Sequence, residues 1–267
     1  MPKPYTFKPG SKIKISHFET RVEKTEYDKK SAAEKIHANA IVMADHARRL
    51  YAENKRSILL LLQGMDTAGK DGTIRTVMRG MNPRSCQVYS FKQPSEEERD
   101  HDFLWRVHKV APRKGNIGIF NRSHYEDVLV VRVHDMVPRK TWQQRYQQIN
   151  DFERLLSESG TIILKCYLHI SREEQRERLQ ARIDEPQSNW KFNQADLAER
   201  KFWDDYQQAY QDALIACNTQ HAPWHIIPSD RKWYRNLLVS ELMRHTLQQL
   251  DPHYPTVTDD LSQIVVE

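Results

Sequence analysis

The sequence predicts a three-layer α/β/α domain on a sheet of about five parallel strands. Two observations carry this reading. Short apolar runs alternate with longer segments of helical spacing along most of the chain, and such alternation implies right-handed crossovers and a parallel sheet covered on both faces. The first apolar run, "ILLLLQ" at 58–63, leads into a glycine-bearing loop and then a helix. Ligands in such folds bind outside the carboxyl ends of the strands.

Residues 1–23 read as an irregular, basic arm. From 26 to 54 the spacing of Ile36, Ile41, Val42 and Leu50 fits a helix. Residues 1–56 are thus expected to form an arm and helix packed on a main domain at 57–267. After the strand at 58–63 comes a helix at 70–81, stopped by Asn82-Pro83. A strand at 86–91, a helix at 95–110 and a strand at 116–120 follow. A short helix is expected at 124–133 and a long one at 141–158, which Gly160 closes before the strand 162–169. Ser171 and Glu174 form a capping box for a helix reaching about residue 184. A helix at 196–217, a strand at 224–227 and a helix at 232–250 complete the chain. Trp142, Trp203, Tyr206 and Tyr210 fall at core-like helical spacing and are read as packing.

Of the 267 residues 39% are hydrophobic, enough for one large domain with a well-buried core. Lys and Arg number 41 against 36 Asp and Glu, a net +5 that suits an anionic ligand without naming one. The longest strongly apolar run, 58–62, is too short to cross a bilayer, and the first sixteen residues contain no apolar stretch of a secretory leader. Cys86, Cys166 and Cys217 lack metal-type or C-x-x-C spacing. His221 and His225 have Pro223 between them and no further ligand nearby, so no structural zinc is expected. A cytoplasmic protein without membrane association is the expectation.

The loop "GMDTAGKDG", 64–72, is nearly G-x-x-x-x-G-K-[ST], the P-loop in which glycines let backbone N–H groups converge on phosphate and a lysine adds charge. Gly64, Met65, Thr67, Ala68, Gly69, Lys70, Asp71 and Gly72 are therefore expected around a phosphate chain. Two acids depart from the pattern. Asp71 stands where a hydroxyl normally helps hold Mg²⁺, and its simplest role is to favour the helix N-terminus. Asp66 lies where phosphate should sit, so Mg²⁺ or a cation of the protein must bridge it. Thr73 is a candidate for the missing hydroxyl. A second segment, "FNRSHYEDVLVVRVH" at 120–134, follows another strand. Asn121 stands at the end of that strand, where a Walker B aspartate would position Mg²⁺. Arg122, Glu126 and Asp127 follow, while Ser123, His124 and Tyr125 read as a helix start.

Together "GMDTAGKDGTI" and "FNRSHYEDVLVVRVH" strongly resemble the polyphosphate kinase 2 family, over about 27–250. The resemblance implies a P-loop, thymidylate-kinase-like fold that moves a phosphoryl group between polyphosphate and nucleotides with Mg²⁺. It implies catalytic roles for Asp66, Lys70 and Arg122, with Asp66 as the metal anchor, and nucleotide or phosphate contacts from 121–127. Much of the family has Asp-Arg-Ser-Trp-Tyr where this chain has Asn-Arg-Ser-His-Tyr-Glu-Asp, a departure that resembles the class III branch, which accepts nucleoside monophosphates as well as diphosphates. The resemblance also implies a helical lid, here about 172–200, whose arginines bind polyphosphate: Arg178 and Arg182. Arg75 and Lys92, near helix or strand ends outside the lid, are further candidates, though a plain surface charge is the commoner role of such residues. The Arg178–Glu174 spacing equally fits an exposed ion pair. Inorganic polyphosphate and adenine nucleotides are the expected partners, with guanine nucleotides left open because no residue reads the base, and assembly as a homo-oligomer is expected.

Two other readings compete. An ATP-dependent nucleotide kinase of the same fold would carry a strict G-K-[ST] loop and an acid at the Walker B place. A binding module without catalysis would cluster basic residues among exposed aromatics; here the arginines alternate with acids, so no nucleic-acid partner is expected.

Overall fold

Ile58, Leu59, Leu60, Leu61 and Leu62 are all fully buried. In the computed structural model, which describes residues 2–258 and Val266, they lie on the middle strand of a five-stranded parallel sheet, with helices on both faces. Residue 1 and residues 259–265 and 267, which fall in the two predicted segments 1–56 and 57–267, lie outside the described residues.

The chain begins with helix α1 (Lys29–Glu53) and strand β1 (Ser57–Gln63), then α2 (Lys70–Val77) and β2 (Cys86–Ser90). Two single turns, α3 (Glu96–Arg99) and α4 (Trp105–His108), precede β3 (Ile117–Asn121). Next come α5 (Val130–Val133), α6 (Arg139–Glu158) and β4 (Thr161–His169). Helices α7 (Arg172–Asp184), α8 (Gln194–Glu199) and α9 (Trp203–Ala216) lead to β5 (Trp224–Pro228) and α10 (Lys232–Leu250). The sheet order is β2-β3-β1-β4-β5, and in register Leu60 faces Ile119 on one side and Leu164 on the other. Helices α1 and α2 pack on α10 at one face; α6 lies on β4 with α5 and α9 at the other. Because β1 and β3 are neighbours, the loops that follow them open side by side.

The N-terminal segment is tied to the far end of the chain. Asp28 accepts from the Ser31 N–H at 2.8 Å and the Ser31 hydroxyl returns the bond, a capping box that starts α1. From α1, Asn39 donates to Ser240 at 3.1 Å and Glu241 at 2.8 Å on α10. Ahead of it, Tyr5 forms an antiparallel bridge with Ile226 of β5, and Asn218 donates to the Phe7 carbonyl at 2.8 Å.

Four expected helices differ in extent. The one at 95–110 is interrupted because the Asp102 carboxylate accepts the Leu104 N–H at 2.9 Å, a local bond that competes with helix. The one at 124–133 divides into a 3-10 turn, His124–Asp127, and α5, with Ser123 capping the turn. The one at 196–217 is broken by a 3-10 turn, Arg200–Phe202. The helix at 70–81 stops at Val77: Thr73 and Thr76 bond back to the carbonyls of Gly69 and Gly72, and Gly80 turns left-handed.

Candidate active site

The loop after β1 leaves the sheet hugging β4. A Cβ on Gly64 would stand 2.7 Å from the Leu168 carbonyl. Gly69 adopts φ 103°, and a methyl there would overlap the Arg235 guanidinium beneath it. Two arginines brace this underside. Arg178 donates to the carbonyls of Thr67 (2.8 Å), Ala68 (3.3 Å), Ser229 (2.7 Å) and Asp230 (2.9 Å), and to Glu174 (2.8 Å). Arg235 donates to Ala68 at 3.0 Å, and the Gln175 amide reaches the Asp66 carbonyl at 3.2 Å. With those carbonyls held below, the N–H groups of Thr67 and Gly69 in the same peptide units point the other way, the side on which both residues line a cavity.

Lys70 opens α2, and its ammonium curls back to the carbonyls of Gly64 (2.8 Å) and Met65 (3.2 Å). Burial, helped by the nearby Arg122, lowers its pKa from 10.5 to about 8. Arg122, at the end of β3, holds Asp66 at 2.7 Å and Glu126 at 3.4 Å. Burial works against its charge, yet Glu126 and Asp66 outweigh that and keep the guanidinium firmly protonated. Thr67 (φ 63°) and Arg122 (φ 62°) are both non-glycine residues in left-handed backbone, a strain typical of functional sites. Asn121 donates to Asp71 at 2.8 Å. Asp127 accepts from Arg145 at 3.2 Å and faces Arg106 at 3.7 Å; burial nonetheless raises its pKa.

Below the second motif the chain turns into the core. Ser123 accepts from Gln63 at 3.0 Å, and His124 and Tyr125 reach Glu153 at 3.2 and 2.9 Å. Lys165, in the middle of β4, completes the knot with bonds to Glu153 (2.6 Å), the Tyr125 hydroxyl (2.9 Å) and the Cys217 carbonyl (2.6 Å). The segment 123–125 is therefore a buried anchor rather than an ordinary helix start.

The cavity above measures about 890 Å³. Of the predicted site residues, Asp66, Thr67, Gly69, Lys70, Asp71, Lys92, Asn121, Arg122, Glu126, Asp127 and Arg182 line it. A smaller cavity of about 230 Å³ adjoins at Gly64, Met65, Asp66, Arg122 and Glu126 and extends to Tyr206 and Tyr210. Ala68 is buried under the loop, and Gly72 lies against Arg235. Arg75 is exposed on α2 and lines neither cavity.

Two expectations change and a third gains a partner. All five guanidinium donors of Arg178 are directed to protein acceptors, which leaves none for polyphosphate. The buried Thr73 hydroxyl donates to Gly69 at 3.1 Å, so it does not replace the missing P-loop hydroxyl. Asp71 lies in the first turn of α2, as expected of an acid that favours a helix N-terminus, and in addition accepts from Asn121 at 2.8 Å.

Sequence reading missed Arg235, Gln175, Arg106, Glu153 and Lys165. The last two carried a signal: a lysine inside "IILKCYLH" and a glutamate at helical spacing with Ile149, Phe152 and Leu156 both predict burial of charge.

Among the described residues no group of three or more His, Cys, Asp or Glu is placed to hold a metal, and no helix is long and apolar enough to cross a membrane. Asp66 still fits Mg²⁺, which typically takes one or two carboxylates and completes its shell with phosphate oxygens and water.

The Polyphosphate kinase 2 family model matches residues 26–255. The chain is 52% identical over 218 residues to the AMP/ADP-polyphosphate phosphotransferase of Meiothermus ruber, covering 82% of each. It is 43% identical over 261 residues to the ADP-polyphosphate phosphotransferase of Rhodopseudomonas palustris, covering 93% of this chain and 90% of that one. The crystal structure of polyphosphate kinase 2 from Arthrobacter aurescens superimposes with a TM-score of 0.92 at 38% identity, over 98% of this chain and 97% of that one. By family match, relatives and fold alike, the chain belongs to the Polyphosphate kinase 2 family.

Proposed function

We propose that this chain transfers phosphoryl groups reversibly from inorganic polyphosphate to nucleotides, taking AMP to ADP and ADP to ATP. The observation that carries the reading is the Asp66–Arg122 pair, set between a phosphate loop and a strand end that bears Asn121 in place of an acid. Two phosphate chains repel each other, so a site that joins them must gather cations. Lys70 of α2, Arg122 after β3 and Arg182 of α7 all line the cavity. The acceptor's terminal phosphate oxygen attacks the end phosphorus of polyphosphate, the bridging P–O bond breaks, and the shortened chain leaves with the electron pair. That oxygen is already anionic at neutral pH, so the transfer requires alignment and charge neutralisation rather than an enzyme nucleophile.

Backbone N–H groups of the loop and Lys70 hold phosphate oxygens in this reading, while Arg122 bridges Asp66 and the reacting groups. Mg²⁺ held by Asp66, together with substrate phosphates, supplies further charge neutralisation when bound. Residues from 57 onward form the catalytic domain, 1–56 its extension, and 172–200 a lid whose Arg182 lies over the cavity. Acceptance of AMP as well as ADP is supported by the Meiothermus ruber relative, whose name includes both. Homo-oligomeric assembly in the cytoplasm belongs to the same proposal and rests on the family resemblance.

The test mixes purified protein with long-chain polyphosphate, Mg²⁺ and AMP without ATP, and follows ADP and ATP by chromatography beside Asp66→Asn. ADP before ATP, lost in the variant with its fold intact, is the expected result. Product from ADP and none from AMP would overturn the monophosphate step. Reaction only with ATP plus a monophosphate would overturn the use of polyphosphate.

A further inference from the structure

The large cavity is lined by two unlike kinds of side chain. Lys70, Asp66 and Arg122 contribute charge, whereas Val131, Met136 and the lid residue Trp190 contribute apolar surface. Trp190 is 78% exposed and Met136 54%, high values for large hydrophobic side chains. Exposed apolar side chains that line a cavity together and are rimmed by charged ones form the pattern of a ligand-binding groove.

The turn that presents Trp190 is built rather than slack. It is a 3-10 turn, Pro186–Lys191, and the Asn189 side chain ties it to α7 by donating to the carbonyls of Arg182 (2.8 Å) and Ile183 (2.7 Å). Arg182 in turn reaches Asp196 of α8 at 2.9 Å, which joins both arms of the lid. The Lys191 ammonium lies 5.0 Å from the Trp190 ring centre, and no aromatic ring pairs with Trp190 among the described residues. One face of the indole is therefore available to a second flat group.

Polyphosphate has no apolar face to offer such a surface, whereas a nucleotide carries a flat π system at one end and phosphate at the other. We infer that Trp190 is the nucleobase platform of the acceptor, stacking on the base from the lid while Met136 and Val131 contact it from the opposite wall. This rests on the phosphotransfer reading above and adds to it the residue that grips the base. Stacking is tolerant of base identity, because every base has a π face. Trp190 thus contributes affinity for nucleotides in general, more for purines than for the smaller pyrimidines.

The experiment compares the full-length protein with Trp190→Ala and Trp190→Phe. Steady-state rates are measured against AMP at saturating polyphosphate, then against polyphosphate at saturating AMP. AMP binding is followed separately by tryptophan fluorescence without polyphosphate. Trp190→Ala should raise the KM for AMP about tenfold, the loss expected of one base–aromatic stack, with the KM for polyphosphate unchanged. Trp190→Phe should recover most of that loss, the fluorescence change on AMP addition should disappear in both variants, and the penalty of Trp190→Ala should be smaller with CMP. A raised KM for polyphosphate with that for AMP unchanged, or equal kinetics in all three proteins, would overturn the inference while leaving the reaction itself established. No phosphotransfer from polyphosphate by the unmodified protein would instead overturn the underlying reading.

Discussion

The Lys165 ammonium lies 2.6 Å from the Glu153 carboxylate, and neither side chain is more than 1% exposed. Both members of this pair bond the hydroxyl of Tyr125, three residues past Arg122, so an ion pair of the core anchors the segment that follows the proposed active-site arginine. Removing one partner strands a charge in the interior. Lys165→Met should destabilise the fold by about 3–5 kcal/mol in urea unfolding, with Lys165→Met/Glu153→Leu markedly less destabilised than the single variant. If the double variant is as unstable as the single one, the cost lies in packing and not in charge.

The ordinary pKa of Lys70 is 10.5, and in the ligand-free fold it is lowered to about 8. Between those values the unfolded chain binds more protons than the native one, so stability rises with pH across this window. Activity should move the opposite way, because phosphate needs the lysine charged. We expect kcat/KM, which reports the free enzyme, to fall as pH rises through about 8, while kcat holds to higher pH because bound phosphate restores the charge. Lys70→Arg, permanently cationic, should lack this alkaline limb. A wild-type kcat/KM profile flat through that pH would rule the assignment out.

Arg178 holds up the loop through the carbonyls of Thr67 and Ala68. Arg178→Met leaves buried carbonyls without donors and should cost about 2–4 kcal/mol of stability. It should lower kcat while the KM for polyphosphate stays put. An undiminished melting temperature with a selectively raised KM for polyphosphate would return Arg178 to the ligand-binding surface of the lid.

Asn121 donates to Asp71 at 2.8 Å, a bond that requires an amide. In Asn121→Asp two carboxylates would face each other at that place. The added repulsion beside a phosphate site should lower kcat/KM for AMP by about tenfold or more, whereas Asn121→Ala, which removes only the hydrogen bond, should lose less. Equal losses in the two variants would show that the hydrogen bond, and not the charge count, is what matters.

The parts legible in the sequence were local. The run 58–62 predicts a strand, and the glycines, lysine and acids after it predict a phosphate loop, because each depends on residues within one turn of itself. The supports of that loop depend on distant chain. Arg178 meets Thr67 across 111 residues and Arg235 meets Ala68 across 167, separations at which spacing carries no signal. Arg178 illustrates the limit: its helix position is predicted well, but whether it faces ligand or loop is decided by the carbonyls that surround it. The breaks at Asp102 and at Arg200–Phe202 escaped for a related reason, since helical periodicity survives a single non-helical turn.

The strap from Tyr5 to Glu23 has a consequence for how this protein is made. Its partners are Ile226, Asn218, Asp230 and Arg231, and α1 likewise needs α10. The strap and α1 therefore have no docking place until β5 and α10 have been synthesised, a delay of about 10–40 s at typical elongation rates of about 5–20 residues per second. Throughout that interval Met43, Ala47 and Leu50, shielded in the finished molecule, face solvent on a nascent helix without its partner. The newborn chain is thus most vulnerable to misassociation along α1, and the folding of α10 is what ends the exposure.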